Sequence, residues 1–278
     1  MKLIDLHIHT TASDGSLTPE QAVAHAAEKQ LAAIAITDHD TAEGAAEAVG
    51  YAEKYGVEVV PGIEISTDYR RLGVHILGYF IDPHSPALEP VLDWIVRDRK
   101  RRNHEIIELM RRDGIDISAE MLAEKYPHSV VGRPHFAAFL VEKGLASSVK
   151  DGFDRYLNRG RPYFRQRTFL PVEDAIKAIT GAGGKAVFAH PLQYKLRQDE
   201  LLKLAIYLRD CGVVGMECLY SGYAPEDEEF LIKIAKNFRM CVTGGSDFHG
   251  AGKPQIEMGS GTGSLRVPYE LLEGLRAK

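Results

Sequence analysis

Tryptophan occurs once and cysteine three times in the 278 residues. Cys211, Cys218 and Cys241 are spaced 7 and 23 apart, which matches no CxxC zinc or redox pattern. A disulfide scaffold and a thiolate metal site are thereby excluded. The cysteines read as reduced, buried thiols of an intracellular protein. No apolar run approaches the roughly 20 residues that a membrane helix needs. The first ten residues carry Asp5, His7 and His9, where a secretory signal would be apolar. A cytoplasmic protein without a membrane partner is expected. An excess of basic charge is missing too: 34 Lys and Arg stand against 39 Asp and Glu, for a net charge of −5. That balance argues against a general duplex-DNA binder and leaves a local basic patch open. Apolar residues at 45% and charged residues at 26% are ordinary for a globular chain, which excludes collagen-like and disordered classes. The length suits one large domain, or a domain carrying an insertion.

Histidine, by contrast, is abundant, with 11 residues. Where they fall depends on the element order. Short apolar runs predict strands at Lys2–His7, Ala33–Thr37, Val57–Ile63, Val74–Phe80, Lys185–Ala189, Val213–Glu217 and Met240–Thr243. Amphipathic stretches predict helices at Thr18–Gln30, Thr41–Tyr55, Pro171–Thr180, Asp199–Asp210, Pro225–Phe238 and Pro268–Arg276. Thr18 followed by proline is a good helix start, and Gly56 a good stop. Continuous Val/Ile/Ala runs alternating with helices indicate an α/β fold with a parallel sheet buried on both faces. Residues 82–169 break this rhythm. They hold helical patterns only, at Pro86–Arg112, Ser118–Lys125, Pro134–Lys143 and Val149–Asn158. We read them as a helical cap inserted into a barrel made of residues 1–81 and 170–278. The run Gly259–Gly263 (GSGTG) reads as a turn, since it lacks the Lys-Ser/Thr of a phosphate-binding P-loop.

Nearly every strand delivers a histidine or carboxylate at its C-terminal end, the edge on which parallel α/β folds build their sites. His7 and His9 lie two apart in an extended chain and so point to the same side. Asp14 follows shortly after. Asp38, His39 and Asp40, Glu64, His190, Glu217, and Asp247 and His249 close later strands. His75 opens its strand instead, which predicts a bend or a reversed strand direction there. One histidine alone is more often structural than a ligand. Six at strand ends with three carboxylates predict a multinuclear metal site of imidazole and carboxylate, suited to Zn²⁺, Mn²⁺ or Fe²⁺.

The segments DLHIHTTASDG, ITDHD, GIEIS, HILGYF, AHP and GSDFH, in this order from Leu3 to about Gly250, resemble the PHP (polymerase and histidinol phosphatase) family. The resemblance implies a distorted (β/α)7 barrel and two to three divalent ions, with manganese favoured. It implies that His7, His9, Glu64 and Asp247 hold one ion, and that Glu64 bridges to a second held by His75 and His190. Asp14, His39 and His249 would hold a third. Many members carry histidine where Asp14 stands here. The helical insertion with Gly132-Arg133-Pro134-His135 resembles a subgroup of small stand-alone phosphoesterases. That implies removal of the 3′-phosphate from nucleoside 3′,5′-bisphosphates, or 5′-to-3′ digestion of short RNA.

Three divalent ions against three carboxylates leave a bare site of about +3, attractive to a phosphate dianion, and would acidify a bound water from ~15.7 towards ~7. Arg133 is the candidate phosphate contact, with a plain surface arginine as the alternative. His135 is the candidate proton donor outside the ligand set. The basic run Arg97–Asn103 reads either as a solvated helix face or as a contact to a second phosphate or an RNA backbone. Asp38, Asp40 and Glu217 are expected to orient histidine ligands. His25, His84, His104 and His128 read as ordinary. The expected partner is a small nucleotide or short oligoribonucleotide. The alternatives are a histidinol-phosphate-type phosphatase, a non-catalytic metal-binding module, which would leave gaps in the ligand set, and an amidohydrolase, which would put a lysine at a strand end.

Overall fold

The first strand, β1 (Leu3–Ile8), is buried from Ile4 onward on both its faces, as a strand does when it has barrel interior on one side and helices on the other. The computed structural model describes residues 2–278 other than 128, 167 and 169, so His128 lies outside the described residues. β1 pairs in parallel with β2 (Ala33–Ile36), and β2 with β3 (Glu58–Tyr69). The remaining strands are β4 (Leu72–Tyr79), β5 (Lys185–Phe188), β6 (Gly215–Tyr220), β7 (Cys241–Gly245) and the two-residue β8 (Val267–Pro268). Their order is β7-β6-β5-β4-β3-β2-β1-β8. β7 also meets the far end of β1. The His9 N–H donates to Phe248 O at 2.9 Å, and the Phe248 N–H donates to His7 O at 3.2 Å. These bonds nearly close the sheet into a barrel. An eighth strand was not expected. β8 takes the start of the predicted C-terminal helix and pairs antiparallel with Leu3 and Ile4.

β3 runs six residues beyond the predicted Ile63. It turns through Arg70 and Arg71, both at positive φ (53° and 69°), directly into β4. Two central residues at positive φ match the twist of a tight hairpin, but arginine does not advertise such a turn. β4 therefore runs antiparallel to both β3 and β5, which is the reversal that His75 predicted.

The helices are α1 (Pro19–Glu28), α2 (Glu43–Val49), α3 (Ala52–Tyr55), α4 (Glu89–Arg112), α5 (Ala119–Lys125), α6 (Arg133–Glu142), α7 (Val149–Gly152), α8 (Val172–Gly181), α9 (Gln198–Asp210), α10 (Pro225–Asn237) and α11 (Glu270–Arg276). The Thr18 hydroxyl caps α1, and Gln21 returns the bond, a reciprocal arrangement that satisfies two otherwise orphaned donors. The single helix expected over Thr41–Tyr55 is two, broken at Gly50. The last predicted cap helix is α7 followed by a π turn at Phe153–Leu157.

Between β4 and β5, α4 to α6 and Leu157 build a cluster of their own from Ile106, Met110, Leu122, Phe136, Leu140 and Leu157. Helix α4, 24 residues and so about 36 Å long, buries Ile95 in the main core and Ile106 in this second cluster. It thereby joins these helices to the main core.

Candidate metal centre

Glu64, on β3, is wholly buried and surrounded by imidazoles. Its Oε1 lies 2.7 Å from His75 Nδ1 and 2.9 Å from His190 Nε2. Its Oε2 lies 3.2, 3.3 and 3.0 Å from His7 Nε2, His9 Nε2 and His39 Nδ1. Asp247 Oδ1 is 3.2 Å from His9 Nε2, and Asp14 Oδ1 is 3.3 Å from His249 Nε2. The fold thus brings all nine ligand candidates together. Three groups within it have donor atoms close enough to share an ion: His9, Asp14, His39 and His249; His7, His9 and Glu64; and His39, Glu64 and His75.

Strained backbone delivers two of these residues and one of their supports. Asp40, His190 and Asp247 follow strands at positive φ (59°, 28° and 59°), a conformation that persists in non-glycine residues only where the surroundings impose it. A side chain on Gly245 would run into the backbone of His7, so β7 and β1 approach this closely only with glycine there.

The charges inside the cluster are tightly coupled. Burial pushes the Glu64 carboxyl up, but His39, His75 and His7 outweigh it and hold it well below its ordinary value. Asp14 and Asp247 are lowered likewise, against burial, by His249 and His39 and by Lys253 and His249. Burial lowers His9, yet Asp247 and Glu64 raise it to about 9. Burial, Lys253 and His9 take His249 down to about 4. His9 Nε2 and His39 Nδ1 are buried, face carboxylate oxygens, and make no hydrogen bond. Unpaired imidazole nitrogens converging on shared carboxylate oxygens are the donor set of a divalent cation, so the residues fit the metals that the family resemblance implies.

The supporting groups divide differently from expectation. Glu217 does orient a ligand: Oε1 takes the His7 Nδ1 bond at 2.9 Å, and Oε2 accepts the His190 N–H at 2.7 Å. Asp38 instead accepts Thr10 N–H, Thr10 Oγ1 and Ser13 Oγ at 2.7, 2.7 and 2.6 Å, which fixes the loop bearing Asp14. Asp40 accepts Ser66 N–H at 2.7 Å and the Arg99 guanidinium, tying α4 to the barrel. Asp5, not singled out from sequence, is fully buried and accepts Ser246 and Gly259 N–H at 2.8 and 2.7 Å. It had no signal beyond its place beside His7.

A cleft of about 750 Å³ opens over His39, His75 and Asp14. Its lining also carries Arg71, Arg99, Arg102, Arg133, Arg159 and Arg165, a basic wall, with the rings of Phe153 and Phe164. Arg133 opens α6 and lies over both rings, 5.7 and 6.0 Å from their centres. The basic run on α4 splits by face: Arg99 and Arg102 are buried in this wall, while Arg97, Lys100 and Arg101 are exposed. His135 is buried, and its Nδ1 accepts the Gly132 N–H at 3.0 Å. Burial lowers its pKa, aided by Arg99 and opposed by Asp14. It caps α6 at the lining of the cleft, and a lowered pKa suits it less to the proton-donor role read from sequence. Of the histidines read as ordinary, His84 and His104 are exposed, and His25 lies between Glu28 and Glu257. Gly259–Gly263 is a turn with a Glu257–Gly261 bridge.

Residues 5–155 match the family described as the PHP domain. The 5′-3′ exoribonuclease Rnm of Escherichia coli is 37% identical over 92% of this chain and 88% of its own length. A 3′,5′-nucleoside bisphosphate phosphatase of Chromobacterium violaceum is 33% identical over 93% and 91%. A crystal structure from Bifidobacterium adolescentis, described as a metal-dependent phosphoesterase, superposes with a TM-score of 0.88 at 30% identity, covering 99% and 96% of the two chains. The chain belongs to the PHP family and is a metal-dependent hydrolase of phosphoesters.

Proposed function

We propose that the substrate is a nucleotide carrying two phosphate groups, and that the reaction releases the 3′-phosphate of nucleoside 3′,5′-bisphosphates. The observation that carries this reading is the cleft, which is lined by members of the histidine–carboxylate cluster together with six arginines and two phenylalanine rings. A single phosphate needs only the cluster. The additional arginines suit a second phosphate, since guanidinium groups bind phosphate oxygens in pairs, and the rings offer a surface for a base. Short 5′-phosphorylated RNA presents the same features, a 5′-phosphate and a reacting phosphorus on the 3′ oxygen. We assign 5′-to-3′ digestion of such RNA to the same site, in keeping with what the E. coli and C. violaceum relatives are named for.

His7, His9, Glu64 and Asp247 would hold one divalent ion, and Glu64, His75 and His190 a second. Asp14, His39 and His249 would hold a third, with Mn²⁺ the favoured metal. When bound, such ions acidify water and screen charge on phosphoryl oxygens. The chain's own residues do the rest. Glu217 holds the His7 proton on Nδ1 and so keeps Nε2 free as a donor atom. Arg99, held by Asp40, and Arg133, on the helix that His135 caps, position the distal phosphate. Residues 82–169 act as the cap that supplies this second phosphate subsite to the barrel of residues 1–81 and 170–278.

The test is a kinetic panel with Mn²⁺. Adenosine 3′,5′-bisphosphate should be hydrolysed far faster than histidinol phosphate, and a 5′-phosphorylated oligoribonucleotide faster than its 5′-hydroxyl form. The reverse ranking would overturn the nucleotide assignment in favour of a histidinol-phosphate-type enzyme. Loss of all activity and of bound metal in His9→Ala is the matching control, because full metal content in that variant contradicts the site itself.

A further inference from the structure

Asp247 uses its two oxygens differently. Oδ1 faces the cluster, 3.2 Å from His9 Nε2 and 3.6 Å from His7 Nε2. Oδ2 points away and accepts two bonds, from the Tyr220 hydroxyl at 2.6 Å and from the Lys253 ammonium at 2.6 Å. Among the described residues, Lys253 is the one lysine or arginine within 4 Å of Asp14, Glu64 or Asp247. It does not line the cleft, and nothing in the chemistry above uses it.

Its position is built by the chain. Gly250, at φ 61°, opens a 3-10 turn in which a side chain would collide with the Ser16 hydroxyl. That hydroxyl accepts the Ala251 N–H at 2.9 Å, and the Lys253 N–H closes on Gly250 O at 3.0 Å. The segment that presents Asp247 and His249 to the cluster therefore folds back at once and returns an ammonium to the far oxygen of Asp247.

We propose that Lys253 is a positioning residue for phosphoester hydrolysis: with Tyr220 it restricts Asp247 to a single ligating oxygen and offsets part of that carboxylate's charge. A carboxylate bonded to a cation through one oxygen donates less charge through the other. An ion held by Oδ1 is then bound less tightly and remains a stronger Lewis acid. Without the ammonium, only the Tyr220 hydroxyl would hold Oδ2, leaving that oxygen freer to chelate and favouring retention of the ion over its reactivity. The inference rests on the metal reading of the site and not on the choice of nucleotide.

The experiment compares full-length wild type, Lys253→Met and Lys253→Arg, each loaded with Mn²⁺. Bound metal is measured through an EDTA titration, and steady-state hydrolysis is followed with p-nitrophenyl phosphate, which needs no nucleotide subsite. Lys253→Met should keep its Mn²⁺ against about tenfold more chelator, with kcat lowered about tenfold and KM little changed. Lys253→Arg should restore both quantities towards wild type. Should the Met variant fail to fold, Lys253→Gln carries the same expectation. A lysine with a merely structural role gives earlier metal loss, or an unchanged kcat, in the neutral variant, and either result overturns the proposal. Failure of the nucleotide assignment would show only in the substrate panel and leaves this comparison intact.

Discussion

Single residues decide whether this cluster holds metal or collapses into ion pairs. Glu217 shows how: it fixes the His7 tautomer while also holding the His190 backbone. Glu217→Gln keeps the shape and removes the charge, and should cost about 10–100-fold in metal affinity or activity. Titration of the apo-enzyme with Mn²⁺ reads this directly, and a loss under threefold would contradict it. Without metal, His9 sits at about 9 instead of 6.5. A folded-state pKa raised in this way stabilises fully below about pH 6.5, and the contribution is lost as pH rises through about 9. The melting temperature of chelator-treated protein should therefore fall across that window. The metal-loaded form, whose histidines are neutral ligands, should not share this decline. A flat profile for the chelated protein would refute the charge assignment. At this scale the sequence was most legible, because six of the 11 histidines, a scarce residue type, gather at strand ends beside carboxylates. Lys253, Tyr220 and Asp5 were not legible. Their roles depend on which oxygen of which carboxylate they meet, and sequence spacing does not encode that.

Secondary-structure elements set the approach distances. β1 and β7 meet where Gly245 lies against His7, and an added methyl group would push on backbone that carries a ligand. Gly245→Ala is expected to destabilise by about 3 kcal/mol and to weaken metal binding together with stability. Chemical denaturation of the apo and Mn²⁺-loaded variant measures both, and a change under 1 kcal/mol would show that the strands part without cost. The β3–β4 hairpin explains why His75 opens a strand yet joins the cluster. Reversal through Arg70 and Arg71 brings the start of β4 to the end of the barrel where the other strands finish. Element type was readable from apolar runs, whereas boundaries were not. The extra length of β3, the break at Gly50 and the pairing of β8 follow from partners distant in sequence.

The whole molecule carries a net charge of −5 yet presents an arginine wall and a metal-ligand cluster to one cleft. A local field of this kind draws in anionic substrate in spite of the overall charge. For adenosine 3′,5′-bisphosphate, kcat/KM should fall about tenfold between low salt and 0.5 M, chiefly through KM. The same salt series with p-nitrophenyl phosphate, which lacks the second phosphate, should give a clearly weaker dependence. Equal slopes would remove the arginine wall from substrate capture.

Two levels of information are separable here. The nine ligand candidates rest on the family resemblance, whereas the sequence by itself determined the α/β class and the histidines and carboxylates gathered at the C-terminal ends of the strands. These follow from local periodicity and from residue types that metal chemistry requires. Only the tertiary structure decided how those candidates group, that Asp38 and Asp40 brace loops and α4, that His135 caps α6, and that Lys253 answers Asp247. The local cap at His135 apart, these depend on distances between segments far apart in the chain, which are set when the barrel closes between β1 and β7 and α4 joins the inserted helices to the main core.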